Sequence, residues 1–139
     1  MFNKKIIIAF LFIITLAGCN QKEINKNTPV SGQKYIAYYF HPSARCESCL
    51  NLEAFLKELI DTKYSNQGLL FKPVNVDEKE NQHFKKKYDL TFSSVVLTDS
   101  DTSDQGKWIK LDSVWSFTYD KENFFRYTGK EINNFINQN

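Results

Sequence analysis

Arg45-Cys46-Glu47-Ser48-Cys49 lies between an apolar run, residues 34–40, and a helical pattern that begins near Cys49. Two thiols separated by two residues can close a small disulfide ring, and the start of a helix places exposed N–H groups close to the first sulfur. A disulfide across so short a segment removes little entropy from the unfolded chain, so it stabilises a fold poorly. The stretch therefore favours a thiol–disulfide site, with a structural disulfide as the alternative.

The neighbouring residues predict different roles for the two cysteines. Cys46, at the helix start beside Arg45, is expected to be the more exposed thiol and the attacking thiolate. Cys49, one turn into the helix, is expected to resolve the mixed disulfide. Glu47 adds a negative charge in the same turn, which disfavours the thiolate and predicts a better reductant than oxidant. His41 is a candidate base or metal ligand, and the alternative is an ordinary histidine in a loop. For Arg45, the alternative to a role at the thiolate is a solvated surface charge.

The N-terminus has the layout of a secretory signal. Two lysines precede an apolar run, residues 6–17, and Gly18-Cys19 follows. The run is about a dozen residues long, shorter than the roughly 20 that a transmembrane helix needs. Leu16-Ala17-Gly18-Cys19 resembles the bacterial lipobox, in which cleavage before the cysteine leaves it as the lipid-bearing first residue. A plain signal peptide, with Cys19 left as a free thiol, is the alternative.

The lipobox divides the chain into a signal peptide over residues 1–18, a polar, flexible tether over residues 19–33 and one domain over residues 34–139. Acyl chains on Cys19 would hold the domain at a membrane of the bacterial envelope, outside the cytoplasm. Cys46 and Cys49 would then be the remaining thiols in an oxidising compartment.

The charge balance excludes one class of partner. Two of the 18 basic residues and none of the 16 acidic residues precede Cys19, so the formal net charge of the remaining chain is zero. Nothing in that balance predicts nucleic-acid binding. No sequence pattern indicates a nucleotide, haem or flavin site, so no cofactor is predicted.

Hydrophobic periodicity predicts an α/β domain: a mixed sheet of about four strands flanked by helices. The first strand is apolar on both faces and is expected to be central. The second contains Pro73, which favours an edge position or a bulge. Asp77 and Asp120 are candidate helix caps. The expected order is strand 34–40, helix 46–64, strand 69–76, helix 78–88, strand 93–98, strand 107–111, a short turn of helix at 111–117 and a last helix after Asp120.

This order, with Cys-x-x-Cys at the start of the first helix, resembles the thioredoxin fold over residues 34–137. Three segments also resemble the ArsF family of small envelope proteins, described as nitrophenyl compound nitroreductase subunits. They are the Tyr-Tyr-Phe-His…Arg-Cys-x-x-Cys-x-x-x-Glu run, the Val-Asn-Val-Asp-Glu…Asn-x-His-Phe segment and the Ser-Val-Val-Leu strand. That resemblance implies an accessory redox role in the envelope.

The chain departs from thioredoxin at two positions. Where thioredoxins carry a cis-proline facing the disulfide, this chain has Ser94, with Ser93 and Val95 beside it. Thioredoxins also place a buried carboxylate on the strand before the motif, whereas residues 35–40 contain no acid. A proton acceptor for Cys49 would therefore be His41 or a water. Loss of the cis-proline disfavours a general disulfide reductase and favours metal binding.

Two functional hypotheses follow. The first is a membrane-tethered thiol–disulfide oxidoreductase or accessory redox protein, which acts on thiols or disulfides of envelope proteins with an unknown electron donor. The second is a module that binds a soft metal or metalloid through Cys46 and Cys49, with His41 or an external ligand as a further ligand. A scaffold with a resting disulfide is the residual possibility.

Overall fold

The computed structural model describes residue 32, residues 34–99 and residues 106–138. The predicted signal peptide and Cys19 lie outside the described residues, as does nearly all of the predicted tether.

A four-stranded mixed sheet forms the centre of the described part of the chain. Its order is β2-β1-β3-β4, with β1 parallel to β2 and antiparallel to β3, and with β4 antiparallel to β3. The predicted α/β class and four-stranded mixed sheet are therefore confirmed. The strands are β1 (Tyr35–His41), β2 (Leu69–Asn75), β3 (Ser94–Asp99) and β4 (Trp108–Lys110).

The positions of β1 and β2 follow from their residues. β1 is hydrogen-bonded on both sides, and Ala37, Tyr39 and Phe40 are fully buried, as the doubly apolar pattern predicted. β2 is an edge strand, where Pro73 can be accommodated because its missing N–H can face away from the ladder. Both predictions are confirmed.

Two long helices pack on one face of the sheet. α1 (Glu47–Lys63) follows Cys46, which occupies its N-cap position, and buries a stripe containing Leu52, Leu56 and Leu59. α3 (Lys121–Asn137) begins after Asp120, whose carboxylate accepts a hydrogen bond from the Asn123 N–H, so this predicted cap is confirmed. Between β4 and α3, Asp112–Phe117 form a 3₁₀ helix, at the place where the sequence predicted a short turn of helix.

Gly129 allows the two long helices to approach each other closely. The hydroxyl of Tyr64, at the C-terminal end of α1, donates a hydrogen bond to the Gly129 carbonyl at 3.0 Å. A Cβ atom at residue 129 would lie 3.2 Å from that same hydroxyl. A side chain there would therefore press on a buried polar contact.

The prediction of one continuous helix over residues 78–88, capped by Asp77, was wrong. A 3₁₀ turn, Lys79–Asn81, is followed by a short helix, α2 (His83–Lys87). The Asp77 carboxylate accepts the Ser43 N–H at 2.8 Å, so it holds the loop before Cys46 instead of capping a helix. The Asn81 side chain donates to the Asn75 carbonyl at 2.9 Å, which ties the 3₁₀ turn to the end of β2.

Candidate thiol–disulfide site

The two cysteines lie where β1 ends and α1 begins, and their sulfur atoms are joined in a disulfide with a Cα–Cα distance of 5.0 Å. Cys46 is exposed, whereas Cys49 is only 6% exposed. The expectation that Cys46 is the more accessible thiol is confirmed. A partner molecule can therefore approach the disulfide at Cys46, while Cys49 lies beneath the surface.

Helix capping places the Cys46 sulfur over the start of α1. Cys46 has an extended backbone, and its Sγ accepts a hydrogen bond from the Cys49 N–H at 3.2 Å. The first N–H groups of a helix have no partner within the helix and carry partial positive charge. A negative charge on Cys46 Sγ would be stabilised in this position.

The buried Cys49 is held by residues from β1 and from the loop before β3. The hydroxyl of Tyr39, which is fully buried, donates to the Cys49 carbonyl at 2.7 Å. The hydroxyl of Ser93 lies 4.0 Å from Cys49 Sγ and donates to it. The register of β1 and β3, in which Tyr39 is opposite Val95, brings these two hydroxyls to the same place.

Arg45 is directed toward Glu53 and Tyr39. Its guanidinium pairs with the Glu53 carboxylate, and its central carbon lies 5.7 Å from the centre of the Tyr39 ring. Among the described residues, Arg45 Nε is buried without a hydrogen-bond partner. Burial raises the pKa of Tyr39, and the positive charge of Arg45 opposes that rise. Arg45, Tyr39, Ser93 and Glu53 thus form one cluster beside Cys49.

The remaining candidates lie around this cluster. His41 Nδ1 is 3.0 Å from the Pro42 carbonyl oxygen, and the imidazole stacks on the Tyr39 ring at 5.9 Å. The Ser94 hydroxyl donates to the Phe92 carbonyl at 2.9 Å, so its neighbour Ser93 is the serine that contacts the disulfide. Glu47 is exposed in the first turn of α1.

No metal centre is found in residues 34–99 and 106–138. Within these ranges, no group of three or more His, Cys, Asp or Glu side chains is arranged to hold a metal ion. His41 is therefore not arranged with Cys46 and Cys49 as a third metal ligand in this structure.

Exposed aromatic side chains border the disulfide. Tyr119, which is 68% exposed, accepts a hydrogen bond from the Ser48 hydroxyl at 3.1 Å. Phe92 is 59% exposed and makes an edge contact with Trp115 at 6.0 Å. The Trp115 indole N–H in turn donates to the Ser93 carbonyl at 3.1 Å. These rings flank Ser48 and Ser93, the two serines next to the disulfide.

Sequence reasoning missed several of these residues. The sequence pattern places Tyr39 in a buried strand but does not show its contact with Cys49. No local pattern places Phe92 or Tyr119 near Cys46. Glu53 had a detectable signal, since it lies at i+4 from Cys49 and on the same side of the helix. Ser93 was noted beside Ser94, but the sequence could not show which serine faces the disulfide.

Comparison with known proteins bears mainly on the N-terminus. Residues 4–20 match the family described as "Prokaryotic membrane lipoprotein lipid attachment site". This match agrees with the lipobox and supports attachment to a membrane of the bacterial envelope through lipid. No helix in the described part of the chain is both long enough and apolar enough to span a membrane.

The other comparisons say little about function. No curated protein matches the chain. A solved structure titled "Structure of a malarial protein" has 17% sequence identity and a TM-score of 0.39, over 54% of this chain and 80% of that one. A likeness of this degree carries no argument about this chain.

Proposed function

We propose that this protein is a lipid-anchored, thioredoxin-like redox protein of the bacterial envelope, which exchanges its Cys46–Cys49 disulfide with thiols and disulfides of other envelope proteins. The observation that carries the proposal is the asymmetry of the disulfide. One sulfur is exposed at a helix N-terminus and the other is buried one turn below it. A staple that only stabilises a fold needs no such difference, and a bond across so short a segment stabilises a fold weakly.

The topology supports a thioredoxin-like domain. The sheet order β2-β1-β3-β4, with α1 crossing from β1 to its parallel neighbour β2, agrees with that fold, as does the Cys-x-x-Cys at the start of α1. The resemblance to the ArsF family remains part of the proposal, since it implies an accessory redox role in the same compartment.

Disulfide exchange at this site proceeds in two steps. In the oxidised protein, a partner thiolate attacks Cys46 Sγ, the bond to Cys49 breaks, and Cys49 leaves as a thiolate. A second partner thiol then attacks the mixed disulfide and releases Cys46, so the protein gains the two electrons that its partner loses. In the opposite direction, the Cys46 thiolate attacks a partner disulfide, whose S–S bond breaks and releases one partner thiolate. The Cys49 thiolate then attacks Cys46 Sγ, the mixed disulfide breaks, and the second partner thiolate leaves.

The surroundings of Cys46 favour a polypeptide as the partner. Phe92 and Tyr119 expose most of their surface beside the disulfide, where an extended polypeptide could cover them.

The disulfide lies far from the predicted tether. The domain begins at residue 34, next to the first residue of β1, whereas Cys46 follows the last residue of that strand. Seven residues of a strand span about 20 Å, so the site faces away from the point where the lipid-bearing segment joins the domain.

Trapping of a mixed disulfide tests the reaction. In full-length Cys49→Ala, Cys46 should form disulfides that dithiothreitol reverses, both with glutathione and with envelope proteins, because no resolving thiol remains. The double variant Cys46→Ala/Cys49→Ala is the matched control and should form none. The proposal fails if Cys49→Ala forms no such adduct and the wild-type pair does not exchange with glutathione.

Lipid attachment is tested separately. In cells grown with labelled palmitate, the wild-type protein should carry the label and sediment with membranes, whereas the Cys19→Ala protein should not carry the label. Label retained in Cys19→Ala would exclude Cys19 as the attachment site without affecting the redox proposal.

A further inference from the structure

We propose that the Ser93 hydroxyl stabilises the Cys49 thiolate that forms whenever the Cys46–Cys49 bond opens. Ser93 is the catalytic residue in this scheme because its hydroxyl contacts a reacting sulfur. Tyr39 is a positioning residue, because its hydroxyl holds the Cys49 backbone. The inference rests on the proposed exchange function and extends it to the buried half of the disulfide.

Burial creates the need for such a group. Cys49 is 6% exposed, so little water can reach its sulfur when it becomes negatively charged. Burial without compensation disfavours the charged form of a thiol. The Ser93 hydroxyl lies 4.0 Å from Cys49 Sγ and is itself 5% exposed, so this donor is hardly shared with solvent. A hydrogen bond to an ionised sulfur is stronger than one to a neutral sulfur, so Ser93 favours the thiolate over the disulfide.

Ser93 and Cys49 are each anchored by a hydrogen bond to the backbone. The Trp115 indole N–H donates to the Ser93 carbonyl at 3.1 Å. The Tyr39 hydroxyl donates its one hydrogen to the Cys49 carbonyl at 2.7 Å, which ties Cys49 to β1. The hydrogen of the Ser93 hydroxyl is directed to the Cys49 sulfur. Because Tyr39 is fully buried, little water reaches this contact.

The charges near this cluster act in opposite directions. Arg45 lies over the Tyr39 ring, so a positive group packs against the tyrosine whose hydroxyl holds Cys49. Glu53 pairs with Arg45 and offsets that charge. Contacts connect several titratable or charged groups to this site: Tyr39 and His41 on β1, Arg45 in the loop, Glu53 on α1, and Tyr119 before α3. Glu47 is exposed in the first turn of α1.

Ser93 affects both directions of exchange. When a partner thiolate attacks Cys46, the bond to Cys49 breaks and Cys49 carries the electron pair as a stabilised leaving group. When Cys49 resolves a mixed disulfide, its thiol first releases a proton to solvent. The thiolate then bonds to Cys46 Sγ, and the partner leaves as a thiolate. Stabilisation raises the fraction of Cys49 that is ionised at neutral pH and lowers its intrinsic nucleophilicity somewhat.

Ser93→Ala and Ser94→Ala form a matched pair for the test. The two serines are adjacent and both buried, but the Ser94 hydroxyl donates to the Phe92 carbonyl and does not contact the disulfide. Each substitution is made in full-length Cys46→Ala, which leaves Cys49 without its disulfide partner. The rate of alkylation of Cys49 by iodoacetamide is followed against pH by mass spectrometry of the peptide that contains it.

Ser93→Ala should raise the pKa of Cys49 by about one unit, the size expected for loss of one hydrogen bond to a charged group. Alkylation should then be about threefold slower near neutral pH and about threefold faster at the high-pH plateau, because a more basic thiolate is the better nucleophile. Tyr39→Phe should move the profile in the same direction by less, and Ser94→Ala should leave it unchanged. A purely structural role for Ser93 would not make the two profiles cross.

A second measurement uses the reduced protein with both cysteines and 5,5′-dithiobis(2-nitrobenzoate). Cys46 releases the first thionitrobenzoate and Cys49 the second, and the second release should be slower near neutral pH in Ser93→Ala than in Ser94→Ala. The inference is overturned if Ser93→Ala has the wild-type titration, or if Ser94→Ala shifts it equally. If wild-type protein never releases the second equivalent, the proposed function fails, and the titration of Cys49 still decides whether Ser93 stabilises its thiolate.

Discussion

Replacing Glu53 by glutamine should make Cys46 more reactive, because it removes the negative charge that neutralises Arg45. Glu53 lies seven residues after Cys46, which is about 10 Å along a helix axis. At an effective dielectric constant of about 40, a unit charge at that distance is worth about 0.8 kcal/mol. That energy corresponds to about a fourfold larger thiolate population, and the accompanying loss of nucleophilicity reduces the gain in alkylation rate to about twofold at neutral pH.

The measurement is the rate of alkylation of Cys46 in full-length Cys49→Ala, with and without Glu53→Gln. Glu58→Gln is the matched control, since Glu58 is on the same helix and pairs with Lys121 at 2.6 Å. It lies about 18 Å from Cys46, more than twice the Debye length of about 8 Å at physiological salt. Its side chain is also 48% exposed, against 28% for Glu53, so solvent and salt screen its charge more strongly than that of the partly buried Glu53. The twofold gain should shrink in 1 M salt. If Glu53→Gln leaves the rate unchanged, or if Glu58→Gln increases it equally, the electrostatic role of the Arg45–Glu53 pair is wrong.

Three further predictions concern stability. Reduced Cys46→Ser should be more stable than reduced Cys46→Ala by about 1 kcal/mol in urea unfolding, because serine is a good N-cap and alanine is not; equal stabilities would contradict the capping role. The Ser43 N–H lowers the pKa of Asp77, so its stabilising effect is present above the ordinary pKa of 3.8 and is lost as pH falls through the folded-state value. Asp77→Asn should accordingly flatten the fall in melting temperature between pH 6 and pH 2, and an unchanged slope would refute this. Gly129→Ala should not raise the free energy of unfolding by the roughly 1 kcal/mol expected for alanine in a helix, because the new Cβ presses on the Tyr64 hydroxyl. The same substitution in Tyr64→Phe should give that increase. A full increase in the wild type would show that the Tyr64 hydroxyl moves aside without cost.

Features set by local chemistry could be predicted from the sequence. Pro73 lacks an N–H, so it marked β2 as an edge strand. Asp120 stands one residue before a run of helix-forming residues and caps α3. Cys46 and Cys49 were assigned to the start of a helix because the apolar strand and the helical stripe meet there. In each case, the deciding residues lie within one or two turns of each other.

Features that depend on contacts between distant segments could not be predicted. Ser93 contacts a cysteine 44 positions away, and only the pairing of β1 with β3 determines that Ser93 faces the disulfide and Ser94 does not. Asp77 has the sequence context of a helix cap, but the Ser43 N–H, which is 34 positions away, takes its carboxylate. The donors, Ser93 and the Ser43 N–H, and the acceptors, Cys49 and Asp77, can all be read from the sequence, but their pairing depends on the fold.

The unequal burial of the two cysteines decides which sulfur a partner attacks, but it does not decide whether the pair oxidises or reduces that partner. In the proposed exchange, a partner reacts at Cys46, because Cys49 is buried in the disulfide-bonded protein. The direction depends on how far each released thiolate is stabilised, since stabilising the dithiol form makes the pair a stronger oxidant. The helix N-terminus at Cys46 and the Ser93 hydroxyl at Cys49 act in that sense, whereas Glu47 and Glu53 oppose it. Glu47 is exposed, so water and salt weaken its effect, while the Ser93 contact is buried and keeps its strength. The reductant character expected from Glu47 alone is therefore offset by a contact that only the folded chain creates.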